Sequence, residues 1–232
     1  MKQIIKFSKP YNDIFKFKLD FFSKNKMNFS TAVKMNKMYL EGPKRKRCKN
    51  CLYPIKNYFI KSFGVRYSLC RRCNHLNGEK QETKAFFNKL YISGQSSKNI
   101  EKNYNRSFEG RVKNIYNSKV LFLKKVIKKK LSILDVGSGA GHFLKALENN
   151  NLYAKGIEPN KLMCKVGNKH LKKNILTNVS LDKLENIIIS EKKANCLSAI
   201  GVLEHIEDPS RLLNSFKNSN LKYLYLSVPL FS

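Results

Sequence analysis

The sequence predicts an α/β protein in which a parallel sheet carries helices on both faces and a small cysteine-rich module precedes the sheet. Three observations support this fold class. From Leu131 onward, short apolar runs typical of strands alternate with amphipathic stretches typical of helices. A glycine-rich stretch over residues 137–141 directly follows the first of these strands. Two Cys-x-x-Cys pairs lie upstream, within residues 48–73.

The alternation gives five strands and four helices in the sheet domain. The strands are predicted over residues 133–136, 153–157, 175–179, 196–200 and 221–228, and the helices over 142–148, 161–170, 181–188 and 210–216. An amphipathic helix over 111–130 is expected to pack beside the first strand, and shorter helices are expected over 15–22 and 31–40. Parallel strands joined by right-handed crossovers place a functional site beyond their carboxyl ends.

The chain of 232 residues is long enough for one α/β domain and an appendage. We expect four segments: a basic N-terminal segment over 1–43, a metal-binding module over 44–92, a linker with the amphipathic helix over 93–130, and the sheet domain over 131–232. The polar stretch 93–106 is predicted to be a linker or a loop over the site. No apolar run has the length of a membrane span or a signal-peptide core, so we expect a soluble, cytoplasmic protein.

Positive charge is spread along the whole chain. Lys and Arg total 46 against 16 Asp and Glu, a formal charge of +30. An excess of this size can indicate nucleic-acid binding, but its even distribution is more typical of a compositional bias. Two runs are dense, Lys44 to Arg47 and the five lysines between 124 and 130. The second run is expected at the solvated end of a helix.

The four upstream cysteines have the spacing of a tetrahedral zinc site. Cys48 with Cys51 and Cys70 with Cys73 each form one knuckle, and the β-rich residues 58–67 between them predict a hairpin. With four cysteine ligands no coordination position stays open, so the zinc would be structural. The basic residues inside the knuckles are positioned to offset the thiolate charge. A redox Cys-x-x-Cys is the alternative, although one pair would suffice for it.

Structural roles are expected for the other two cysteines and for the histidine that follows the second knuckle. Cys164 and Cys196 are isolated in the sequence and are expected to be small core residues. His75 follows the second knuckle and could replace a cysteine ligand. Because four cysteines are available, we expect His75 to be a packing or surface residue instead.

The glycine spacing argues against a dinucleotide site. A Gly-x-Gly-x-x-Gly fingerprint starting at Gly137 would need glycine at position 142, which is histidine. Asp135 stands two residues before Gly137, where a carboxylate would repel a pyrophosphate but could accept a hydrogen bond from an amino group. Glu158 ends the second strand, where a carboxylate can accept both hydroxyls of a ribose.

From Leu131 to the end, the sequence resembles the class I S-adenosylmethionine-dependent methyltransferases. Ile-Leu-Asp135-Val-Gly-Ser-Gly-Ala-Gly141 is similar to their motif I, and Gly201 to Pro209 is similar to their segment after strand four; Ser227-Val-Pro-Leu230 is also familiar from that group. The resemblance implies a Rossmann-like sheet of strand order 3-2-1-4-5. Two further strands usually follow strand five. Their absence from this sequence predicts either a C-terminally truncated chain, the simpler account, with strand five as an exposed edge, or a sheet that a partner completes.

The resemblance also implies roles for particular residues. The glycine loop and Asp135 would bind the methionyl group of S-adenosylmethionine, Glu158 would bind its ribose, and the loop 203–205 would face the acceptor. The candidate cofactor-binding residues are Asp135, Gly137, Ser138, Gly139, Gly141, Glu158, Pro159, Val202 and Leu203. No acid follows strand three to hold the adenine amine, and Asn178 or Ser180 could substitute. His205 is the candidate base, with Glu204 beside it; the alternative is that this pair only braces the loop.

Three functions remain open on the sequence. The cysteine module with this domain resembles zinc-binding methyltransferases of sugar and cell-surface polysaccharide biosynthesis, which implies a small-molecule acceptor such as a sugar or sugar nucleotide. An RNA methyltransferase that grips phosphates with the zinc module and the Lys44 to Arg47 run is the alternative. A non-enzymatic adaptor is a third reading, which the intact acids and glycines disfavour. Oligomeric state is not predicted.

Overall fold

The computed structural model describes residues 23, 25–93, 107–172 and 175–228, with the side chains of 91–93 excepted. The predicted helix over 15–22, nearly all of the 93–106 stretch and residues 229–230 lie outside this range. Helix α1 (Asn25–Leu40) precedes a three-stranded antiparallel sheet of β1 (Ile60–Ser62), β2 (Val65–Leu69) and β3 (Leu76–Gly78). Strands β1 and β2 form the predicted hairpin, with Ser62 paired to Val65 across its turn.

A second helical region connects this module to the large sheet. Helix α2 (Lys84–Phe87) begins at the N-cap Thr83, whose hydroxyl accepts a hydrogen bond from the Phe86 amide, and it continues as a π-helical turn (Asn88–Ser93). Helix α3 (Phe108–Arg111), a π-helical segment (Val112–Tyr116) and α4 (Asn117–Val126) then follow one another without a break. The amphipathic helix predicted over 111–130 therefore spans 108–126, because the backbone becomes extended at Ile127.

The large sheet has five parallel strands. In chain order it contains β4 (Ser132–Val136), α5 (His142–Asn149), β5 (Tyr153–Glu158), α6 (Lys161–His170), β6 (Leu176–Asn178), a 3-10 turn (Leu181–Lys183), α7 (Leu184–Ser190), β7 (Cys196–Ile200), a second 3-10 turn (Leu203–His205), α8 (Pro209–Lys217) and β8 (Tyr223–Ser227). The spatial order is β6-β5-β4-β7-β8, which confirms the predicted order 3-2-1-4-5. Among the described strands, β6 and β8 are the edges.

Helices cover both faces of this sheet, and the two faces have separate cores. Ile133 of β4 points into a cluster with Phe108, Val120 and Leu123 of the helical region before the sheet. Leu134 points to the other face, where helices α7 and α8 contribute buried Ile188 and Leu212 to the second cluster. The period of two along the strand thus divides its side chains between the faces. The predicted packing of the amphipathic helix beside the first strand is confirmed.

Two smaller sequence predictions also hold in the described residues. Cys164 and Cys196 are buried core residues. The lysines between 124 and 130 are exposed at the end of α4. No helix among the described residues combines the length and the apolar character that crossing a bilayer requires.

Candidate functional site

The loop between β4 and α5 depends on glycine at three positions. Gly137, Gly139 and Gly141 have φ angles of +65°, +55° and +77°, a region that other residues enter only with strain. A Cβ atom on Gly137 would also lie 2.6 Å from Cγ2 of Val202. Val202 belongs to the loop after β7, so this glycine lets the two loops touch.

The other two glycines serve different purposes. A Cβ on Gly139 would meet no atom within 4 Å, so the backbone there faces open space. Gly141 is buried at the start of α5, and a Cβ there would lie 3.3 Å from Cδ1 of Leu171. Gly139 is thus the position where a ligand can approach the backbone, whereas Gly141 allows close packing of the helix.

Asp135 is a buried carboxylate at the base of the loop. The hydroxyl of Ser198, on the neighbouring strand β7, donates a 2.6 Å hydrogen bond to its Oδ1. Burial raises the pKa of Asp135 to about 7, and the Ser198 hydrogen bond only partly opposes the shift. The carboxyl group is therefore close to half-ionised at neutral pH and gains from the approach of a cation.

Glu158 is fixed at the end of β5 by two backbone amides. Gly139 N donates to Oε2 at 2.8 Å and Asn160 N donates to Oε1 at 2.9 Å. Burial raises the pKa of this carboxyl group, and the two amide hydrogen bonds act in the opposite direction. A carboxylate oxygen accepts more than one hydrogen bond, so Glu158 can hold the glycine loop and still receive hydroxyl groups of a ligand.

A cleft of about 200 Å³ lies against the glycine loop. Its lining combines loop residues with residues of the helical region before β4: Arg111, Tyr116, Asp135, Gly137, Ser138, Gly139, Ala140, His142, Phe143 and Ile200. Arg111 is steadied by a 3.1 Å hydrogen bond from its Nε to Ser107 Oγ. In the described part of the chain, no carboxylate lies within 4 Å of the Arg111 guanidinium. The cleft therefore presents one acid, Asp135, and one cation.

Aromatic rings form one wall of the cleft. His142 is stacked between Phe108, with ring centroids 4.5 Å apart, and Tyr116, with centroids 5.5 Å apart. Burial lowers the pKa of His142 to about 3, and the nearby charge of Arg111 adds to the shift. The ring is therefore neutral at physiological pH, and this wall adds no charge to the cleft.

The loop after β7 brings the candidate base to the same edge of the sheet. Val202 and Leu203 pack against the second core cluster, whereas His205 is exposed. Partial loss of solvent lowers the pKa of His205, with Glu204 acting to raise it and Lys49 to lower it. The imidazole is neutral at pH 7 and can accept a proton. Oε2 of Glu204 is buried without a hydrogen-bond partner among the described residues.

The predicted adenine-side residues lie at the end of β6, where Asn178 is the last residue of the strand and Ser180 follows shortly after it. The side-chain amide of Asn178 donates to the carbonyl oxygens of Glu158, at 2.9 Å, and Pro159, at 3.0 Å. Its Oδ1 atom is the acceptor that would be available to an adenine amine. Ser180 is exposed just beyond.

The four upstream cysteines sit in two knuckles of the same backbone geometry. The carbonyl oxygen of Cys48 accepts from Leu52 N at 3.0 Å, and that of Cys70 accepts from Asn74 N at 2.9 Å. The amide of each of these cysteines donates to the carbonyl five residues later, at 2.8 and 2.9 Å. Leu52 and Asn74 share a left-handed φ, +59° and +55°. A fold built twice around two thiol pairs is typical of zinc knuckles, not of a redox pair.

The thiols converge at the distances that a metal requires. All four sulfur atoms lie within 4.8 Å of one another; Cys48 Sγ is 3.6 Å from Cys73 Sγ, and Cys51 Sγ is 3.5 Å from Cys70 Sγ. Tetrahedral Zn–S bonds of about 2.3 Å place sulfur atoms about 3.8 Å apart. Among the described residues this is the one such cluster, and His75 is not part of it. The residues present therefore fit Zn²⁺.

The ionisation of the cluster is divided unequally between its thiols. Burial opposes ionisation of Cys70, but the backbone amides of Cys73 and Arg72 together with the thiols of Cys51 and Cys73 lower the pKa of Cys70 to about 7. A backbone hydrogen bond with Tyr53 acts to lower the pKa of Cys51, but burial and the other three thiols outweigh it and raise this pKa to about 12. Arg72 N lies 3.4 Å from Cys70 Sγ, and the side-chain amide of buried Asn77 donates to Cys48 Sγ at 3.5 Å. Amide donors therefore contribute charge compensation at the sulfur atoms of Cys48 and Cys70.

Three basic residues of the module form ion pairs with Glu79 or Glu82. Lys49, inside the first knuckle, is turned inward, where its Nζ lies 3.5 Å from Glu82. Arg45 of the Lys44 to Arg47 run is buried and also pairs with Glu82. Arg66 Nε donates to Glu79 at 2.9 Å. Of the three residues predicted to offset the thiolate charge, Lys49 is thus paired with Glu82, while Arg71 and Arg72 are exposed.

Replacing Leu52 with glycine should stabilise the module. Leu52 is 64% exposed, so its side chain buries little surface, while its left-handed φ costs about 1 to 2 kcal/mol for a non-glycine residue. After the added unfolded-state entropy of glycine, we expect a net gain of about 1 kcal/mol, or about 2 to 4 °C in Tm. Thermal unfolding of the metal-bound protein measures it.

Asn74→Gly is the matched control at the equivalent position of the second knuckle. Asparagine tolerates the left-handed region better than leucine, so its replacement should yield less. A larger gain from Asn74→Gly than from Leu52→Gly would contradict strain as the cause.

Comparison with known proteins places the sheet in a family. Residues 108–232 match the family described as "Methyltransferase domain", which is more than half of the chain. The chain belongs to this methyltransferase family. The assignment made from the glycine loop is thereby confirmed, and the match begins at Phe108, where the helical region that lines the cleft begins. No curated protein sequence matches the methyltransferase.

Among the solved structures that are similar to the methyltransferase are three with low sequence identity to it. An S-adenosylmethionine-dependent methyltransferase of Geobacter sulfurreducens, solved with S-adenosylhomocysteine, is 17% identical with a TM-score of 0.35, covering 44% of this chain and 43% of its own. One of Archaeoglobus fulgidus is 21% identical with a TM-score of 0.36, covering 52% and 54%. The plantazolicin methyltransferase is 22% identical with a TM-score of 0.43, covering 60% and 52%. The chain thus spans about half the length of these three proteins.

The methyltransferase brings most of the sequence-predicted residues to one edge of its sheet. The cleft is lined by Asp135, Gly137, Ser138 and Gly139. Glu158 is connected to these residues by its hydrogen bond from Gly139 N, and Val202 lies against Gly137. The cleft-lining residues do not include Gly141, Pro159, Leu203 or the two candidate catalytic residues Glu204 and His205. Sequence reasoning missed Arg111 and Tyr116. The sequence feature that could have indicated them is their position at the start of the amphipathic helix that was expected beside the first strand.

Proposed function

We propose that the protein is an S-adenosylmethionine-dependent methyltransferase with a structural Zn²⁺ in its N-terminal module. The observation that carries the proposal is that the buried carboxylate of Asp135 and the guanidinium of Arg111 line the same cleft over the glycine loop without pairing with each other. An amino-acid moiety has an ammonium and a carboxylate, and the cleft offers a complementary charge for each. A dinucleotide pyrophosphate would instead face the acid.

Each part of the cofactor has a counterpart in the site. Asp135 would accept from the ammonium and Arg111 would donate to the carboxylate, while the open space at Gly139 admits the cofactor close to the backbone. Glu158, already fixed by two amides, would accept the ribose hydroxyls. Asn178 Oδ1 or Ser180 would meet the adenine amine. The residues present therefore fit S-adenosylmethionine.

In the proposed reaction, the protein's own residues position the methyl acceptor and take up its proton. When bound, S-adenosylmethionine supplies a methyl group that is electrophilic because it is attached to a positive sulfur. Val202 and Leu203 hold the loop after β7 against the core, so the acceptor meets a fixed surface. Alignment of the reacting atoms contributes about 7 to 11 kcal/mol in well-oriented reactions. His205, neutral at pH 7, would take the proton of the acceptor.

Replacing His205 with alanine should reduce turnover without weakening cofactor binding. A positioned general base contributes about 10² to 10⁴ in rate, so we expect a loss of at least about a hundredfold in kcat. His205 is exposed on its loop, which limits the cost to folding. Turnover of the wild type should also fall on acidification through the lowered pKa of His205, and the variant should lack this limb. Unchanged turnover would remove His205 from the mechanism and leave it with Glu204 as a brace of the loop.

For the acceptor, we propose a small molecule, such as a sugar or sugar nucleotide of polysaccharide biosynthesis. Pairing of basic residues within the module supports this over RNA at two positions: Arg45 is buried against Glu82, and Arg66 is paired with Glu79. Lys44, Lys46 and Arg47 of the same run are exposed, so the RNA alternative is tested directly. An RNA substrate would predict retention of RNA with a steep salt dependence. Transfer of labelled methyl groups to the small-molecule fraction of a cell extract, and not to its RNA, is the outcome we expect.

Cofactor binding is the direct test of the proposed function. Isothermal titration should show S-adenosylmethionine and S-adenosylhomocysteine binding at one site per chain and competing with each other. NAD should not displace them, because Asp135 repels a pyrophosphate. Binding of NAD in preference to S-adenosylmethionine would refute the proposal. The free thiols of buried Cys164 and Cys196 accord with a reducing, cytoplasmic location, which we propose as well.

A further inference from the structure

Lys119 is a half-buried cation at the carboxyl edge of the large sheet. It lies on α4, and its Nζ donates a 3.1 Å hydrogen bond to Oγ of Ser227, the last residue of β8. Removal from solvent lowers its pKa. Within the described ranges, no carboxylate lies within 4 Å of Nζ. An ammonium has three donors, and this hydrogen bond uses one of them.

The position of Lys119 is on the half of the sheet opposite the proposed cofactor contacts. Asp135 and Glu158 belong to β4 and β5, whereas Ser227 belongs to the edge strand β8, two strands from β4 in the other direction. Ser227 is paired with Ile200, which lines the cleft, and its carbonyl oxygen accepts from Gly201 N at 2.8 Å. The ammonium therefore stands beside the loop that carries Val202 to His205.

The helical region that carries Lys119 also lines the cleft. Tyr116, the last residue of the π-helical segment, lines the cleft, and Lys119 follows it in the first turn of α4. The continuous helical region therefore runs from the cleft at Tyr116 to the end of β8 at Lys119. A molecule that enters beside the cofactor and reaches past the loop after β7 would thus meet the ammonium.

We propose that Lys119 binds an anionic group, phosphate or carboxylate, of the methyl acceptor. The inference rests on the proposed function, since it assigns the acceptor to the β7 and β8 side of the same site. A purely structural hydrogen bond to Ser227 would not require a charged group there, because a neutral donor could make it without the cost of removing an ammonium from water. An anion would compensate that cost.

The test is an anion titration followed by amide NMR. Inorganic phosphate and acetate are added to the full chain at constant ionic strength, with and without saturating S-adenosylhomocysteine. We expect saturable shifts of the Gly201 and Ser227 amides. Lys119→Gln should weaken the binding by about tenfold or more, the usual loss for a hydrogen bond to a charged group. Lys119→Arg should retain it.

Lys113→Gln is the control for net charge. Lys113 is exposed on the same helical region, so its replacement changes the charge equally without touching the site and should leave anion binding intact. Tighter binding of phosphate than of acetate would assign a phosphorylated acceptor, and the reverse order would assign a carboxylate. Equal binding by wild type and Lys119→Gln, or no saturable shift in the wild type, would overturn the proposal.

The same samples separate this inference from the proposed function. S-Adenosylmethionine affinity should be unchanged in Lys119→Gln, because its proposed contacts lie on β4 and β5. A wild type that binds S-adenosylmethionine but no anion would leave the methyltransferase intact and reject the Lys119 site. A wild type that binds the anion but not S-adenosylmethionine would reject the proposed cofactor instead.

Discussion

Chelation of the metal should unfold the N-terminal module while the large sheet stays folded. Between residues 44 and 87 the buried apolar side chains are few: Cys48, Val65, Cys70 and Phe87. The module also buries polar groups, Asn77 and Glu79 among them. So small a core cannot offset the entropy of ordering the chain, and structural zinc supplies about 10 to 16 kcal/mol in comparable peptides. The sheet has two apolar clusters of its own and needs no metal.

The measurement pairs metal content with amide NMR before and after a strong chelator. We expect one zinc per chain and, after its removal, loss of dispersion in the signals of the module alone. Cys70→Ser should reproduce the apo state. Cys164→Ser is the matched control: Cys164 is buried but remote from the cluster, and serine keeps the donor to the carbonyl oxygen of Glu158. A module that keeps its structure without metal would show the four thiols to be an incidental cluster.

The state of the module also bears on the candidate base. Lys49 lies in the first knuckle, and its charge lowers the pKa of His205 in the loop after β7. Glu207 in turn acts on the pKa of Lys49, after burial and the nearer Glu82 and Arg45. The module and this loop therefore lie within electrostatic reach of each other, and unfolding of the knuckle removes the Lys49 charge from its place.

The helices and strands that were predicted correctly are those whose bounds are set by sequence patterns within a few residues. The strand over 196–200 and the helix over 161–170 have the predicted bounds, because apolar periodicity and the N-cap Asn160 are read within a few residues. The predicted helix over 181–188 is wrong in its first turn, which is a 3-10 turn followed by α7. Strand β3 was missed because three residues, Leu76 to Gly78, carry no alternation.

The sequence predicted the site residues that belong to the glycine loop, and it missed those that reach the cleft only because separate segments pack together. Asp135 and the glycines are recognisable from spacing alone. Arg111 reaches the cleft because the helical region packs on the sheet, with Phe108 and Val112 in its core. Lys49 turns inward because it pairs with Glu82, which lies 33 residues later in the sequence. Such contacts between distant segments leave no pattern in a single sequence.

Asp135→Asn should weaken S-adenosylmethionine binding by at least about thirtyfold without loss of fold. The amide is isosteric, and its oxygen can still accept from Ser198 Oγ, but it carries no charge for the ammonium of the cofactor. Loss of one partner of a buried charge pair costs about 2 to 5 kcal/mol, which is a weakening of at least about thirtyfold. Glu41→Gln removes an exposed acid outside the sheet domain and should leave the affinity unchanged. Isothermal titration of the two variants beside the wild type makes the comparison.

The pH dependence tests the same carboxylate independently. Burial raises the pKa of Asp135 to about 7, so wild-type affinity for S-adenosylmethionine should rise between pH 6 and pH 8 as the group ionises, and a proton should be released on binding below pH 7. Stability without cofactor should change in the opposite sense. The folded state holds this proton up to about pH 7, whereas an unfolded aspartate loses it near pH 4, so this group's contribution to stability falls as pH rises across that interval. Asp135→Asn should flatten both dependences. A variant that binds S-adenosylmethionine as tightly as the wild type, with the same pH profile, would show that another group receives the ammonium.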